Sequence, residues 1–161
     1  MAVKGDSYFY FTVANQPERT REAVTVAIGS SLIMGLGVML VRAINPAVWA
    51  LAGLGWAAAV LGIGTVYLVA VGRRMGGRGS YDQMARALGF AMAPQALGFL
   101  PFLYFIPGFL VGGIWATVCA IVAVREVHQI PAQLAVGLVL VPILMVIGLL
   151  PLIALTVQSA S

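Results

Sequence analysis

Cysteine and histidine are nearly absent from this chain: Cys119 and His128 occur once each. A single cysteine makes no intramolecular disulfide, and Cys119 sits in an apolar stretch where it reads as a small hydrophobe. One cysteine and one histidine cannot close a metal shell or hold a haem, so no metal, haem or other cofactor is expected. Charge is scarce as well. Asp, Glu, Lys and Arg make up 9% of the 161 residues, against about a quarter in a soluble domain. That is too little to cover a water-facing surface. The middle of the apolar stretches carries no Asp, Glu, Lys or Arg. Ionisable groups at that depth mark ion pathways and proton relays, so a proton-coupled carrier or redox pump is not expected from this chain alone. Nor is an enzyme, since Ser30 and Ser31 have no histidine at membrane depth to activate them.

What is present in quantity is apolar sequence. The chain is 61% hydrophobic, with a mean hydropathy of +1.03. A membrane-crossing helix needs about 20 mostly apolar residues. Five stretches qualify, at about 23–41, 47–71, 88–105, 108–124 and 132–157. The expected fold is all-α, an integral membrane bundle of five transmembrane helices. It forms a single transmembrane domain over 1–161, with 1–22 as a cytoplasmic interfacial segment. The third stretch carries Pro94 and Pro101, and proline removes a backbone donor and kinks a helix. It reads as a full span joined to the fourth by a Pro107-Gly108 hairpin turn, or as a re-entrant hairpin.

The few charges set orientation. With the N-terminus inside, Lys4, Arg19, Arg21, Arg73, Arg74, Arg78, Arg86 and Arg125 fall on the cytoplasmic side, and Arg42 alone falls outside. Such a bias places the N-terminus in the cytoplasm and the C-terminus on the other side. The net charge of +4 therefore serves topology and the lipid bilayer, and no nucleic acid is expected as a partner. The short aromatic run Tyr8 to Val13 is not the apolar core of a cleavable signal.

Local motifs fit this frame. Pro17 suits the first turn of a helix, and Asn45-Pro46 reads as the turn between the first two spans. Ser80-Tyr81-Asp82-Gln83 reads as a capping box. It opens an interfacial amphipathic helix, with Tyr81, Met84, Ala85 and Leu88 on one face and Asp82 and Arg86 on another. The run Gly76 to Ser80 has no Lys and follows an apolar helix, so it is not a nucleotide-binding phosphate loop. A lipid phosphate on its amides and Arg78, or a flexible turn, are the readings it allows. Arg73, Arg74, Arg78 and Arg86 are the candidate contacts to lipid headgroups or to a partner surface. His128 reads as a cap on a helix end. Gly53, Ala57, Gly112, Gly113 and Ala116 supply small-xxx-small faces for helix packing. Trp49 and Tyr104 suit anchoring at the interface. Ser31, Thr65, Tyr67, Gln95 and Thr117 are the polar groups from which a solute cavity would be built.

Taken in order, several of these elements resemble the Yip1 domain family. They are Gly76-Gly77-Arg78-Gly79-Ser80-Tyr81, Ala87-Leu88-Gly89-Phe90, Ala93-Pro94, Pro107, Trp115 and Val124-Arg125-Glu126-Val127-His128. Pro17-Glu18-Arg19-Thr20 resembles the interfacial start of bacterial-type members. The resemblance implies five spans, a cytoplasmic N-terminus, a non-cytoplasmic C-terminus, and here a prokaryotic cell membrane. Eukaryotic members are associated with Rab-type GTPases. This chain lacks their long N-terminal region and Asp-Leu-Tyr-Gly-Pro motif, so a Rab-type GTPase is not the expected partner. The expectation is a non-enzymatic scaffold or adaptor, an accessory subunit of a larger membrane complex with other membrane proteins as partners. The alternative is a transporter or channel for a neutral or lipidic solute.

Overall fold

A computed structural model of the chain describes the backbone of residues 3–42, 45–100 and 108–159, and the side chains of 8–36, 45–100, 108 and 110–145. The described residues form helices and turns, with no strand among them. Helices are what an apolar environment selects, because every backbone group must be satisfied within the segment. Helix α1 covers Val3–Ala14, and a 3-10 turn, Pro17–Arg19, leads into α2, Thr20–Arg42. Helix α3, Pro46–Ala59, continues through a π-helical turn, Val60–Gly64, into α4, Thr65–Arg74. Helix α5 covers Tyr81–Ala91, and a 3-10 turn, Ala93–Phe99, follows it. Helices α6, Gly108–His128, and α7, Ala132–Ser159, complete the described chain.

The starts of these helices follow from their residues. Asn45 Oδ1 accepts from the Ala47 amide at 2.9 Å, with Pro46 in the first turn of α3. Ser80 and Gln83 form the reciprocal capping box at the head of α5. Pro17 opens the turn before α2.

Among the described residues two helices are long and apolar enough to cross a membrane. They are Pro46–Arg74, of 29 residues, and Leu110–His128, of 19 residues. At about 1.5 Å per residue they reach roughly 44 and 28 Å, against a hydrocarbon thickness of about 30 Å. Helices α2 and α7 cover the expected stretches 23–41 and 132–157. The stretch 88–105 differs from a single helix: α5 ends at Ala91, and the chain tightens into the 3-10 turn with Pro94 in its first turn. Proline has no amide to continue the α ladder. Pro101, Tyr104, Pro107 and the expected hairpin turn lie outside the described residues.

The segment before Pro17 is a docked helix: α1 buries Tyr10, Val13 and Ala14, and Phe9 sets its ring edge-on to Phe90, 5.6 Å between centroids. One further reading is corrected. Helix α5 is not an interfacial strip with a wet face. Met84, Arg86, Ala87, Leu88, Gly89 and Ala91 are all buried, and α1, α2, α4 and α6 pack around it. Its small residues let backbones approach from several sides.

Candidate functional site

The glycine run after α4 is built as a helix stop. Gly76 adopts φ +89°, a conformation glycine reaches without steric cost. The Gly77 amide donates to the Gly72 carbonyl at 2.9 Å and the Gly76 amide to the Arg73 carbonyl at 3.0 Å. This paired pattern satisfies the last carbonyls of the helix. The chain then closes on the end of α6. The Arg78 amide donates to the His128 carbonyl at 3.3 Å, and the Gly79 amide to His128 Nδ1 at 3.3 Å. Arg73 Nε donates to the Gly79 carbonyl at 3.0 Å. The Ser80 amide is held by Gln83 Oε1 at 3.0 Å. All five amides from Gly76 to Ser80 are therefore engaged. The run is neither a free amide cradle for phosphate nor a loose turn.

His128 is the post on which this loop is fastened. It is 1% exposed. A Cβ added at Gly72, Gly77 or Gly79 would lie within 3 Å of its ring or Cβ. Glycine is required at these positions because the imidazole fills the space a side chain would need. Since Nδ1 accepts from Gly79, the neutral ring carries its proton on Nε2. The Arg125–Glu126 ion pair, 2.6 Å, closes the apolar run of α6, so His128 stands past it. There burial and the Arg73 guanidinium hold its pKa below the ordinary 6.5, while the Leu68 carbonyl opposes them. Nε2 still lacks a hydrogen bond of good geometry. His128 is thus an internal clasp rather than a surface cap.

The four arginines separate into two groups. Arg73, Arg74 and Arg78 are exposed at the end of α4 and on the loop. Arg86 is 7% exposed, which removes it from lipid headgroups. Its Nε and Nη2 donate to the Ala14 carbonyl at 3.1 and 2.6 Å, and Nη1 to Thr20 Oγ1 at 3.3 Å. A guanidinium fork at a helix C-terminus satisfies an orphan carbonyl and favours the helix dipole. Arg86 therefore ties α1 to α5 and to the start of α2.

Between these parts lies a cavity of about 310 Å³, lined by Phe11, Ala14, Asn15, Arg78, Gln83, Glu126, Val127 and Gln129. Gln83 Nε2 donates to Asn15 Oδ1 at 2.8 Å, joining two of its walls. Arg78 contributes a guanidinium with no hydrogen bond or ion pair among the described residues. Gln129 stands at φ +54° just after α6, where glycine is the usual residue.

The packing candidates fall in different places. A Cβ on Gly53 would meet the Ser31 carbonyl at 3.0 Å, and one on Gly112 the Pro94 carbonyl at 2.7 Å. Ala57 and Ala116 are buried. Gly113 differs, for a Cβ there would meet nothing within 4 Å. Of the polar candidates, Gln95 accepts from Trp56 Nε1 at 3.3 Å and Thr117 donates to the Gly113 carbonyl. The Ser31 and Thr65 hydroxyls are buried without a partner. None of these groups lines the cavity described. The roles of His128 and Arg86 were missed from sequence. The one available signal was the co-occurrence of a glycine run, Gly76-Gly77-Arg78-Gly79, and a single histidine far along the chain.

A family model, the Yip1 domain, matches residues 8–155. No curated protein and no solved structure matches the chain.

Proposed function

The chain belongs to the Yip1 domain family and is a membrane protein of that family, and on that premise we propose that it is a non-enzymatic, multi-pass membrane scaffold or adaptor. Five spans, with the fourth entered through a hairpin after the third, and an accessory place in a larger membrane complex are parts of the same reading. The observation that carries it is the division of the surface. The faces of the two candidate spans expose large apolar side chains, among them Leu51, Ile63 and Val66 on one and Ile114, Trp115 and Val118 on the other. The exposed cations Arg73, Arg74 and Arg78 gather at the end where both spans finish. Such a body sits in lipid by its flanks and presents a basic end to anionic headgroups or to an acidic partner surface.

Each exposed arginine near an anionic membrane adds about 1 kcal/mol. Changing Arg73, Arg74 and Arg78 together to Gln is expected to cut the enrichment of labelled anionic lipid at this end of the reconstituted protein by about fivefold at low salt. Wild-type enrichment should fall as salt rises. The same variant should lose partners that copurify in mild detergent. Unchanged enrichment and unchanged partners would leave the arginines with topology alone.

Orientation has its own measurement. In a Cys119→Ala background, single cysteines at Ser7, Met75 and Ser159 meet an impermeant thiol reagent applied from outside. Met75 is exposed and, unlike Ser80, holds no capping box. Labelling at 159 alone is expected with a cytoplasmic N-terminus and five spans. Labelling at 75 from outside would refute that topology.

A further inference from the structure

We propose that the cavity between α1, the glycine loop and the end of α6 binds one phosphate group that carries a hydrogen-bond donor. This is the chemistry of an ethanolamine or glycerol phospholipid headgroup, and equally of the free phosphomonoester. The inference rests on the membrane reading of the chain and not on the adaptor role.

Charge points to the phosphate. Arg78 is unpaired, whereas Glu126 is neutralised by Arg125, whose Nε and Nη2 both donate to Oε1. One uncompensated guanidinium therefore remains on the lining, in a form suited to phosphate oxygens. Amides stand around it. Asn15 and Gln83 each have one N–H engaged and one to offer, and the Gln129 amide has no hydrogen bond among those described. Glu126 Oε2 points to the substituent: it has no hydrogen bond among those described. A carboxylate oxygen accepts only, so its match is an ammonium or hydroxyl on the ligand. Size is consistent, since about 310 Å³ is at the lower end for ligand pockets. Position favours a lipid source, because both candidate spans, Pro46–Arg74 and Leu110–His128, end beside it.

The test uses the full chain in phosphatidylcholine nanodiscs, titrated by calorimetry. The probes are water-soluble dihexanoyl phosphatidylethanolamine, phosphatidylglycerol and phosphatidylcholine, with phosphoethanolamine and glycerol 3-phosphate. One saturable site is expected for the ethanolamine and glycerol lipids. Binding of the choline lipid should be at least tenfold weaker, because a quaternary ammonium has no donor for Glu126. If the two soluble phosphomonoesters bind as tightly, the source is soluble. If they do not, it is lipid. Arg78→Gln and Gln129→Gly should each weaken binding at least tenfold. Gln129→Gly should keep the wild-type melting temperature, since its φ of +54° suits glycine. No saturable site for any probe, or wild-type affinity in either variant, overturns the proposal. The adaptor reading fails separately, because lipid enrichment around the protein responds to the triple arginine variant and to salt and is indifferent to Gln129→Gly.

Discussion

Replacing Arg86 by Met is expected to release α1 from the bundle. The substitution removes two donors from the Ala14 carbonyl and one from Thr20 Oγ1. It leaves a buried carbonyl without a partner, at a cost of about 1–3 kcal/mol, and hydrogen bonds to a charged group are at the strong end of the range. A loss of about 2–3 kcal/mol follows, or roughly 30- to 150-fold faster hydrogen exchange in the amides of 8–14. Lysine should not rescue, because a single ammonium cannot reproduce the fork at one carbonyl while also reaching Thr20. The comparison variant is Arg78→Met. It removes the same charge from an exposed position and should change stability by no more than about 0.5 kcal/mol. Wild-type protection of α1 in the Arg86 variant would mean that apolar packing of Tyr10 and Val13 holds the helix by itself.

Arg86 also shows what the sequence conceals. Its spacing from Asp82 places both on the polar face of an amphipathic helix, which points Arg86 towards headgroups or a partner. The fold instead brings α1, some seventy residues earlier in the chain, to the place where the guanidinium ends. No local pattern encodes that approach. What was legible was set by composition and by local chemistry. The apolar runs predicted helices where α2, α3–α4, α6 and α7 stand, and Ser80 with Gln83 predicted the start of α5. The proline at 94 marked the departure from a regular helix, though not its 3-10 form. Gly76 reads as a turn residue from sequence, but the grip of Gly72, Gly77 and Gly79 on His128 depends on two helix ends meeting. The matched segments Gly76–Tyr81 and Val124–His128 of the family resemblance are one structural unit for the same reason. The cavity was illegible as a whole, since its lining comes from four parts of the chain.

The clasp itself should show a local effect of similar size, and His128→Asn against His128→Leu isolates it. Asparagine Oδ1 can stand where Nδ1 accepts from Gly79, whereas leucine fills space without an acceptor. In the leucine variant the Gly79 amide, whose bond is buried, loses its partner at a cost of about 1–3 kcal/mol. Protection of that amide against hydrogen exchange should fall about ten- to hundredfold. Asparagine should retain most of it. If asparagine is as open as leucine, the ring's volume between the glycines holds the loop and the hydrogen bond does not. Acid should do to the wild type what leucine does at any pH. Protonated His128 presents a donor at Nδ1 to the donor of Gly79. Its pKa in the fold is held below 6.5 by burial and by Arg73, against the opposing Leu68 carbonyl. The open form therefore takes up the proton first. The clasp's contribution is complete above 6.5 and is lost progressively as pH falls below it towards the lowered value. Gly79 exchange, corrected for its intrinsic rate, should accelerate below 6.5 in the wild type and stay level with pH in His128→Asn. An identical pH dependence in both proteins would assign the acid sensitivity to another group.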